Sequence, residues 1–559
     1  MAHKTLVGGT AYNITGGKSL VSGTTYNIVK GRTLVGGTGY NINFGPGEAI
    51  AMLYDNGDFS FQRSQDVEEG KTLVASYTGF ENSSYFSQDE VPWYPKGENI
   101  KNVYCIEEVA PISMAYWFYR YINLVNFSIV NFNINNVTNM SSTYYGCTNL
   151  TGSPVCGNNV INMYYTYRSC TNLTGSPVCG DNVTDMRYTY SGCQNLTGSP
   201  VCGDKVTTMY YTYQSCINLT GSPVCGDKVT TMVYTYQSCT NLTGSPVCGN
   251  NVTTMAYTYS GCTNLTGSPV CGNNVTNMYS TYSGCTNLTG SPVCGNKVKN
   301  KANTYRNCTN LTGSPVCGYN VTTMYSTYDN CTNLTGSPVC GNNVVTMSYT
   351  YRNCTNLTGS PVCGDNVTTM YSTYNNCTNL TGFPICGNNV TNMANTYRNC
   401  TNLTGSPVCG DNVTNMTGTY HNCRNLTGSP VCGNNVTNMY STYVNCTNLT
   451  GSPVCGENVT NMASAYSNCA NLAGNAYFYS LYIKSVRDCF RNKNNSKQLN
   501  IYVPSGSTTN TTIHYTNTYS LVGASITWTD AGTYQYNTTY NIYIYPVENV
   551  AAARAANGD

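Results

Sequence analysis

The sequence predicts a mainly β protein in which a solenoid of 23-residue coils carries β-rich caps and a set of N-terminal β-hairpin repeats. The first observation is a unit that recurs fourteen times without insertion over residues 147–468. The second is a 14-residue repeat near the N-terminus, and the third is the alternation of apolar and polar residues in the last segment. A fixed period of this length is typical of a chain in which each coil contacts mainly its two neighbours.

The N-terminal repeat reads KTLVGGTAYNITGG, KSLVSGTTYNIVKG and RTLVGGTGYNI. Each copy has a Leu-Val pair, a Gly-Thr turn and a Tyr-x-Ile alternation, which together predict a short β-hairpin. Isolated hairpins bury too little surface to be stable alone. We therefore interpret residues 1–48 as an attachment or shaft region that stacks on the next domain or on further copies of the chain, and a trimer is one oligomeric state that this allows.

The 23-residue unit follows the pattern C-x-N-L-T-G-x-P-[VI]-C-G-x-[NK]-V-x-x-M-x-x-[TA]-Y-x-x, and Lys301 is the one replacement of its Met. We assign the invariant tyrosines, such as Tyr167 and Tyr190, to the core. One coil cannot fold alone, because about five buried apolar side chains at roughly 2 kcal/mol each do not offset the ordering of the whole unit. Stacking of coils must supply the difference.

The remaining segments are interpreted as caps. Residues 49–113 are of mixed composition and predict an N-terminal cap, residues 114–495 form the solenoid, and residues 496–559 predict a C-terminal β-rich cap or small domain. The last residues, AAARAANGD, are expected to form a loose tail.

Composition excludes several classes of function. Charged residues make up 9% of the chain and the formal net charge is +2, so the electrostatic footprint of a nucleic-acid-binding protein is missing. No stretch approaches the roughly 20 apolar residues of a membrane span, and MAHKTLVGGTAYNI lacks the apolar run of a secretory signal. No nucleophile-base set, paired-carboxylate spacing or phosphate-binding Gly loop stands out, so we expect no enzyme activity.

The cysteines alternate in spacing as C-x8-C and C-x13-C, which matches no common zinc motif, and the chain has three histidines, His3, His421 and His514. We expect neither a metal nor another cofactor. Stacked coils would place each Cys about 4.8 Å from its counterpart, so pairwise disulfides are one alternative. Buried thiol ladders are favoured, because free Cys behaves as a small hydrophobe. The first cysteines of these ladders are Cys147, Cys156, Cys170, Cys179, Cys193 and Cys202.

Other repeated polar residues have two interpretations each. Asn-Leu-Thr and Asn-Val-Thr would be glycosylation acceptors in a eukaryotic secreted protein, but ladders of hydrogen-bonded Asn and Thr between coils are favoured here. The row formed by Asp181, Asp204 and Asp227 is interpreted as solvated turn surface rather than as a calcium site.

The positions that vary while the scaffold is constant are candidates for ligand binding. They are the two residues after each Met and the two before the next Cys. If they point outward, the tyrosines among them form an aromatic stripe suited to binding, whereas the alternative is a packed ladder that stabilises the stack. The candidate stripe consists of Tyr164, Tyr165, Arg187, Tyr188, Tyr210, Tyr211, Tyr234 and Tyr257.

The words Cys-Thr-Asn-Leu-Thr and Asn-Val-Thr-Asn-Met, the latter at 136–140, 274–278 and 435–439, resemble the BspA-like leucine-rich repeats of bacterial and gut-phage surface proteins. The resemblance covers roughly residues 105–495 and implies a leucine-rich-repeat-like solenoid. This chain has GSPVC where that family has an apolar strand, so the strand should be short or broken by Pro177 and its equivalents. The 14-residue repeat is similar to modules of phage tail-fibre proteins.

These resemblances imply a structural protein of a phage virion, a fibre or receptor-binding protein that assembles in the bacterial cytoplasm. Its N-terminal region would bind other virion proteins, and its solenoid would bind a host cell-surface glycan or protein. A bacterial cell-surface adhesin is the first alternative, and a ligand-free spacer or decoration protein is the second.

Overall fold

A computed structural model describes residues 47–515, 521–522 and 528–559, together with the backbone of six strands between residues 3 and 43. The chain divides into two compact units, Met1–Asp185 and Met186–Asp559. Regular strands lie before and after the 23-residue repeats, whereas most of the repeat region consists of turns joined by single bridges.

Each 14-residue repeat in the first unit contributes one antiparallel strand pair. The loops that join the strands of each pair lie outside the described residues, and so does the turn chemistry expected there. The pairs are β1 (His3–Val7) with β2 (Thr10–Ile14), β3 (Lys18–Val21) with β4 (Thr24–Asn27), and β5 (Lys30–Val35) with β6 (Thr38–Asn43).

A five-stranded sheet follows, in the order β11-β10-β8-β7-β9. Its apolar residues surround a cluster in which the rings of Trp93 and Trp117 meet edge to face with centroids 5.2 Å apart. The indole N–H of Trp93 donates to the carbonyl of Trp117 at 2.7 Å, so this buried polar group is satisfied. The strands are β7 (Ile50–Tyr54), β8 (Asp58–Gln62), β9 (Leu73–Tyr77), β10 (Asn102–Cys105) and β11 (Asn126–Phe127), and 3-10 helices span Gln88–Glu90, Tyr94–Asn99 and Ile134–Asn136.

Successive 23-residue units pair in parallel register through the residue that precedes each Met. Thr208 bridges Thr231, Thr231 bridges Thr254, and the same spacing continues to Asn461. The predicted break at the Gly-Ser-Pro-Val-Cys segment agrees with the structure. Within the described repeats this segment forms a regular strand in one copy, β12 (Val454–Cys455).

Backbone hydrogen bonds alternate along the segment after each Met. The N–H groups of Met232, Tyr234 and Tyr236 donate to carbonyls of the next unit at 3.2, 3.0 and 2.9 Å. The residues between them donate within their own unit, as Thr235 does to the carbonyl of Met232 at 3.1 Å. Every second residue therefore joins two units, and the others close turns, so the backbone is satisfied without extended strands.

One column of tyrosines passes through the core of the repeats in the second unit. The rings of Tyr213, Tyr236 and Tyr259 are fully buried and stack with centroids 5.5 and 5.6 Å apart. The hydroxyl of Tyr236 donates to the carbonyl of Val224 at 2.7 Å and accepts from the Val224 N–H at 3.0 Å. This "core tyrosine column" comprises the Tyr four residues after each Met, which the sequence had assigned to the core.

The second unit ends in a six-stranded sheet with the order β12-β13-β14-β17-β16-β15. The expected loose tail is wrong: residues after Asn549 form a helix, and the Asp559 carboxylate accepts hydrogen bonds from Ser452, Asn475 and Tyr477 at 3.1, 2.7 and 2.6 Å. These contacts hold the terminus against the last repeats. The elements are β13 (Gly474–Phe478), β14 (Leu499–Pro504), β15 (Thr529–Asp530), β16 (Gln535–Asn537), β17 (Ile542–Val547), α1 (Thr508–Tyr515) and α2 (Val550–Ala556).

Candidate functional site

The residue two positions after each Met forms a second column. Its run of four successive tyrosines is called the "outer tyrosine column" and consists of Tyr188, Tyr211, Tyr234 and Tyr257, all half-buried. Their rings stack with centroids 4.7, 4.3 and 4.5 Å apart and interplanar angles of 8°, 18° and 9°. Four of the eight predicted stripe residues are thus brought together as one continuous stack.

These tyrosines have left-handed backbone conformations. Tyr211, Tyr234 and Tyr257 each have φ of 57°, a region that bulky residues rarely adopt and that costs about 1 kcal/mol or more per residue. The same conformation recurs at this position in the later repeats, where smaller residues are common. Those residues are Ser280, Asn303, Ser326, Ser372, Asn395, Gly418, Ser441 and Ser464.

The residue directly after each Met adds further rings at two places. Tyr210 meets Tyr211 edge to face at 4.5 Å, and Tyr279 meets Tyr257 in the same way at 5.1 Å. Burial is the largest cause of the raised pKa of Tyr211, and its neighbours Tyr210 and Tyr234 raise that pKa further. Arg187, in the same row, is exposed. Tyr279 occupies the same place in its repeat as Tyr210 and belongs to the same variable row of the sequence.

Stacking determines which part of each ring faces a ligand. Because the faces of Tyr211 and Tyr234 lie against their neighbours, a ligand would meet ring edges and hydroxyl groups. The column is therefore a strip of hydrogen-bonding groups on an apolar support rather than a set of open platforms.

The remaining predicted stripe residues lie in the first compact unit, Met1–Asp185. Tyr164 lies 4.0 Å from Tyr165, centroid to centroid, and the guanidinium of Arg168 lies 5.0 Å from the ring of Tyr165 and 5.7 Å from that of Tyr145. Tyr145 in turn stacks on Tyr119 at 4.8 Å. Tyr119, Tyr145 and Arg168 are not among the predicted stripe residues, although Tyr145 and Arg168 occupy one of the variable positions before the next Cys.

The first cysteine of each unit, an "inner cysteine", is sealed in the core. Cys147, Cys170 and Cys193 are buried. The thiol of Cys170 donates to the carbonyl of Tyr144 at 2.9 Å, and that of Cys239 to the carbonyl of Tyr213 at the same distance. These inner thiols therefore connect stacked coils, because each donates to a carbonyl 26 residues earlier in the chain.

The second cysteine, an "outer cysteine", has a different environment. Cys156, Cys179 and Cys202 are half-buried. The thiol of Cys271 contacts the carbonyl of the adjacent Gly272 at 3.6 Å, and burial raises its pKa to about 11. All 31 cysteines lie within the described residues and are free thiols.

Lys301, the residue that replaces Met in one unit, is fully buried. Its ammonium nitrogen donates to the carbonyl of Val316 at 2.7 Å and to the hydroxyl of Tyr328 at 3.1 Å. It also lies 5.7 and 5.3 Å from the ring centroids of Tyr305 and Tyr328. Burial lowers its pKa.

The repeated polar residues form rows between units. The side-chain amide of Asn251 donates to the carbonyl of Asp227 at 2.8 Å, and the Thr253 hydroxyl donates to the carbonyl of Thr230 at 3.2 Å. The side chains of Asp181, Asp204 and Asp227 are exposed. No group of three or more His, Cys, Asp or Glu residues in the described part of the chain could hold a metal ion. Among the same residues, no helix has the length and apolarity needed to cross a membrane.

Sequence comparison gives two family matches. The family described as "Mycoplasma protein of unknown function, DUF285" matches residues 112–224 and 366–479, both inside the 23-residue repeats. The Kazal-type serine protease inhibitor domain matches residues 326–353, little more than one repeat. No curated protein matches the chain.

Two solved structures align with most of the chain. A leucine-rich repeat protein from Bacteroides ovatus is 11% identical, with 81% of this chain and 93% of that chain covered and a TM-score of 0.29. A leucine-rich cell surface protein from Faecalibacterium prausnitzii is 13% identical, with 78% and 93% covered and a TM-score of 0.22. Both are named as leucine-rich proteins, and with TM-scores this low neither alignment carries an argument about this chain.

Proposed function

We propose that this chain is a surface-exposed, leucine-rich-repeat-like solenoid that binds a ligand through the outer tyrosine column. The observation that carries the proposal is the stack of Tyr188, Tyr211, Tyr234 and Tyr257, half-exposed and held in left-handed backbone conformations. Except for Tyr349, the later repeats place Ser, Asn or Gly at the same position and pair in the same register. The stack is therefore not needed to build the fold.

The backbone cost supports a role other than packing. Each left-handed Tyr costs about 1 kcal/mol or more relative to Gly or Asn, and strain of this kind is concentrated at functional sites. Stacking of neighbouring rings returns about 1 kcal/mol per pair, which roughly offsets the strain. The tyrosines are thus close to neutral for stability, and binding provides a reason for them.

The chemistry of the strip favours a neutral, hydroxyl-rich ligand. Phenol hydroxyls donate and accept hydrogen bonds, and Arg187 is the exposed charge among the predicted stripe residues of the second unit. A cell-surface glycan offers hydroxyl groups at short intervals that the edges of stacked rings can contact. A protein ligand is the alternative, and it would bury the ring edges in the same way.

The test is binding of the purified full chain to a glycan array and to host envelope fractions. Replacing Tyr211 and Tyr234 by Ser removes the centre of the stack, and we expect a loss of at least about tenfold in affinity, because central aromatic residues dominate such interfaces. Tyr349→Ser is the matched control, since Tyr349 has φ of 59° but only edge-to-face ring neighbours. Unchanged binding by the double variant would refute the column as the binding site.

We further propose that the surface is that of a phage virion, where the chain would serve as a fibre or receptor-binding protein. The similarity of the 14-residue repeats to tail-fibre modules supports this placement, and the antiparallel strand pairs give that region its own local structure. A bacterial cell-surface adhesin is the alternative. Antibody against residues 147–468, applied to intact culture supernatant and to washed cells, should recover the chain with capsid and tail proteins. Recovery from cell envelopes alone would refute the virion and favour the adhesin.

A further inference from the structure

A patch of tyrosine rings and guanidinium groups lies in the first compact unit. The rings of Tyr119 and Tyr145 stack with centroids 4.8 Å apart and an interplanar angle of 9°. Tyr165 meets Tyr145 edge to face at 5.8 Å, and Tyr116 lies 5.9 Å from Tyr119. All four rings are half-buried. This "Tyr-Arg patch" consists of Tyr116, Tyr119, Arg120, Tyr145, Tyr165 and Arg168.

Two guanidinium groups flank the stacked rings. That of Arg120 lies 5.9 Å from the ring centroid of Tyr119, and that of Arg168 lies 5.7 Å from Tyr145 and 5.0 Å from Tyr165. Attraction to a ring holds a guanidinium group through its flat face. Its N–H groups, which lie in the plane, then stay available to a second partner.

The side chain of Arg120 is exposed. No ion pair in the described part of the chain includes it, and its guanidinium group donates to no acceptor there. Exposed arginines are common on protein surfaces, so exposure alone does not indicate a site. The backbone of Arg120 supplies the further evidence.

Arg120 has a left-handed backbone, with φ of 61°. It stands six residues after Met114, and the equivalent residue of every later repeat that contains Met is Gly, Ser or Asn, as at Gly146, Ser169 and Asn422. A long side chain is less stable in this conformation than Gly or Asn. The chain therefore has Arg at a position where its other repeats have residues that cost less or occupy less space.

The neighbouring repeat makes room for this side chain. A methyl group built on Gly146 would lie 3.3 Å from Cγ of Arg120, which is closer than such contacts usually are. Tyr116 and Tyr165 also have left-handed backbones, with φ of 63° and 61°. Three long side chains of the patch are thus held in a conformation that they rarely adopt, and strain of this kind is concentrated at functional sites.

The chemistry of the patch selects its ligand. Guanidinium groups pair with carboxylates through two parallel hydrogen bonds, and phenol hydroxyls donate to and accept from neutral hydroxyls. A glycan with acidic sugars carries both groups at short intervals, whereas an acidic peptide carries the carboxylates without the hydroxyls. Single-stranded nucleic acid needs open ring faces for its bases, but the facing sides of Tyr119 and Tyr145 are occupied by each other.

We propose that the Tyr-Arg patch binds a glycan that carries carboxylate groups. Arg120 and Arg168 pair with the carboxylates, and the edges and hydroxyls of the tyrosines contact the sugar hydroxyls. The outer tyrosine column belongs to the other compact unit, Met186–Asp559. The patch is therefore tested by variants that leave the column intact.

The experiment is calorimetric titration of the purified full chain with oligogalacturonate, hyaluronate oligosaccharides and sialyllactose, each beside the methyl ester of the same sugar. We expect at least one acidic probe to bind, with its ester at least about tenfold weaker, because esterification removes the charge and keeps the hydroxyls. Added salt should weaken binding of the acid, since the guanidinium groups are screened by solvent ions.

Variants separate binding from structure. Arg120→Asn introduces the residue found at this position in later repeats, such as Asn422. It should lower affinity for the acidic probe at least about tenfold and leave the chain at least as stable to urea, because Asn tolerates positive φ better. Arg168→Gln, which introduces the residue found at Gln214 and Gln237, should weaken binding as well.

Arg424→Thr is the matched control. Arg424 is exposed, and Thr is the residue that most repeats have at its position. Its replacement removes the same single charge as Arg120→Asn, and no contact between a cation and a ring in the described residues includes it. Affinity for the acidic probe should therefore be unchanged.

Four outcomes would overturn the proposal. Absence of binding by all three acids, or equal binding of an acid and its ester, would remove the carboxylate. Full affinity in Arg120→Asn would place the ligand elsewhere. Equally tight binding of polyglutamate or of single-stranded polyuridylate would show that the patch attracts anions in general rather than an acidic glycan.

Discussion

Two columns of tyrosine lie side by side in the second unit and differ in almost every property except ring stacking. In the core column, Tyr236 is fully buried and stacks on its neighbours with ring centroids 5.5 and 5.6 Å apart. Its hydroxyl forms hydrogen bonds with both the carbonyl and the N–H of Val224. In the outer column, Tyr234 is half-exposed, stacks on neighbours at 4.3 and 4.5 Å and has a left-handed backbone.

The difference shows what each column is for. A residue that fills a sealed space and satisfies buried polar groups has few replacements, and the core column is Tyr in every unit of the repeat. A residue on the rim can change without disturbing its neighbours, and after Tyr257 this position holds Ser, Asn or Gly in every repeat except that of Tyr349. The core column is structural, whereas the outer column is replaceable, which is why we propose it as the ligand-binding surface.

The largest expected effect that separates the columns is that of alkaline pH. Burial raises the pKa of Tyr236, Tyr259 and Tyr282 well above the usual value. Their contribution to stability is therefore complete below the unfolded-state pKa of about 10 and is lost as pH rises above it. Each such phenol reduces the free energy of unfolding by about 1.4 kcal/mol per pH unit, so the column together should cause steep alkaline unfolding.

Urea denaturation at pH 8, 9, 10 and 11, followed by circular dichroism, measures this effect. Tyr236→Phe should make the fall above pH 10 shallower by the contribution of one phenol. An unfolding free energy that stays constant between pH 9 and 11 would contradict the assignment of the core column.

Truncation in the core should have the next largest effect. Tyr236→Ala leaves a cavity between Tyr213 and Tyr259, and we expect a loss of about 4 kcal/mol in unfolding free energy, as for other buried aromatic residues. Tyr234→Ser, two residues earlier in the chain, loses two stacked pairs and should cost about 2 kcal/mol. Denaturation midpoints of the two variants measure the contrast, and equal losses would mean that both columns are structural.

Removal of a single hydroxyl should have a smaller effect. Tyr236→Phe keeps the stacked ring but leaves the N–H and carbonyl of Val224 without their side-chain partner. The expected cost is about 1–2 kcal/mol, the usual penalty for buried polar groups left unsatisfied. Denaturation at pH 7 measures it, with Tyr234→Phe as the control, and a neutral result would show that water replaces the hydroxyl.

The repeat period, the core tyrosines and the buried inner cysteines could be predicted from the sequence, because apolar periodicity reports burial directly. The turn-rich backbone was harder to predict, since it depends on alternation of hydrogen bonds within and between units, as at Met232 and Thr235. A signal for the left-handed position was present: Asn and Gly, which tolerate positive φ, occur there at Asn303, Asn395 and Gly418. The contacts of Asp559 with residues about 80 to 110 positions earlier left no local signal.

The smallest expected effect isolates the backbone strain of the outer column. Tyr234→Asn loses two stacked pairs, with Tyr211 and Tyr257, which together contribute about 2 kcal/mol. It relieves about 1 kcal/mol of left-handed strain, since Asn tolerates positive φ better. The net loss in unfolding free energy should be about 1 kcal/mol. Tyr234→Ala loses the same stacking without that relief, so it should be less stable than Tyr234→Asn by about 0.5–1 kcal/mol. Paired urea denaturation of the two variants measures the difference, and an Ala variant as stable as the Asn variant would show that the outer tyrosines carry no strain for binding to offset.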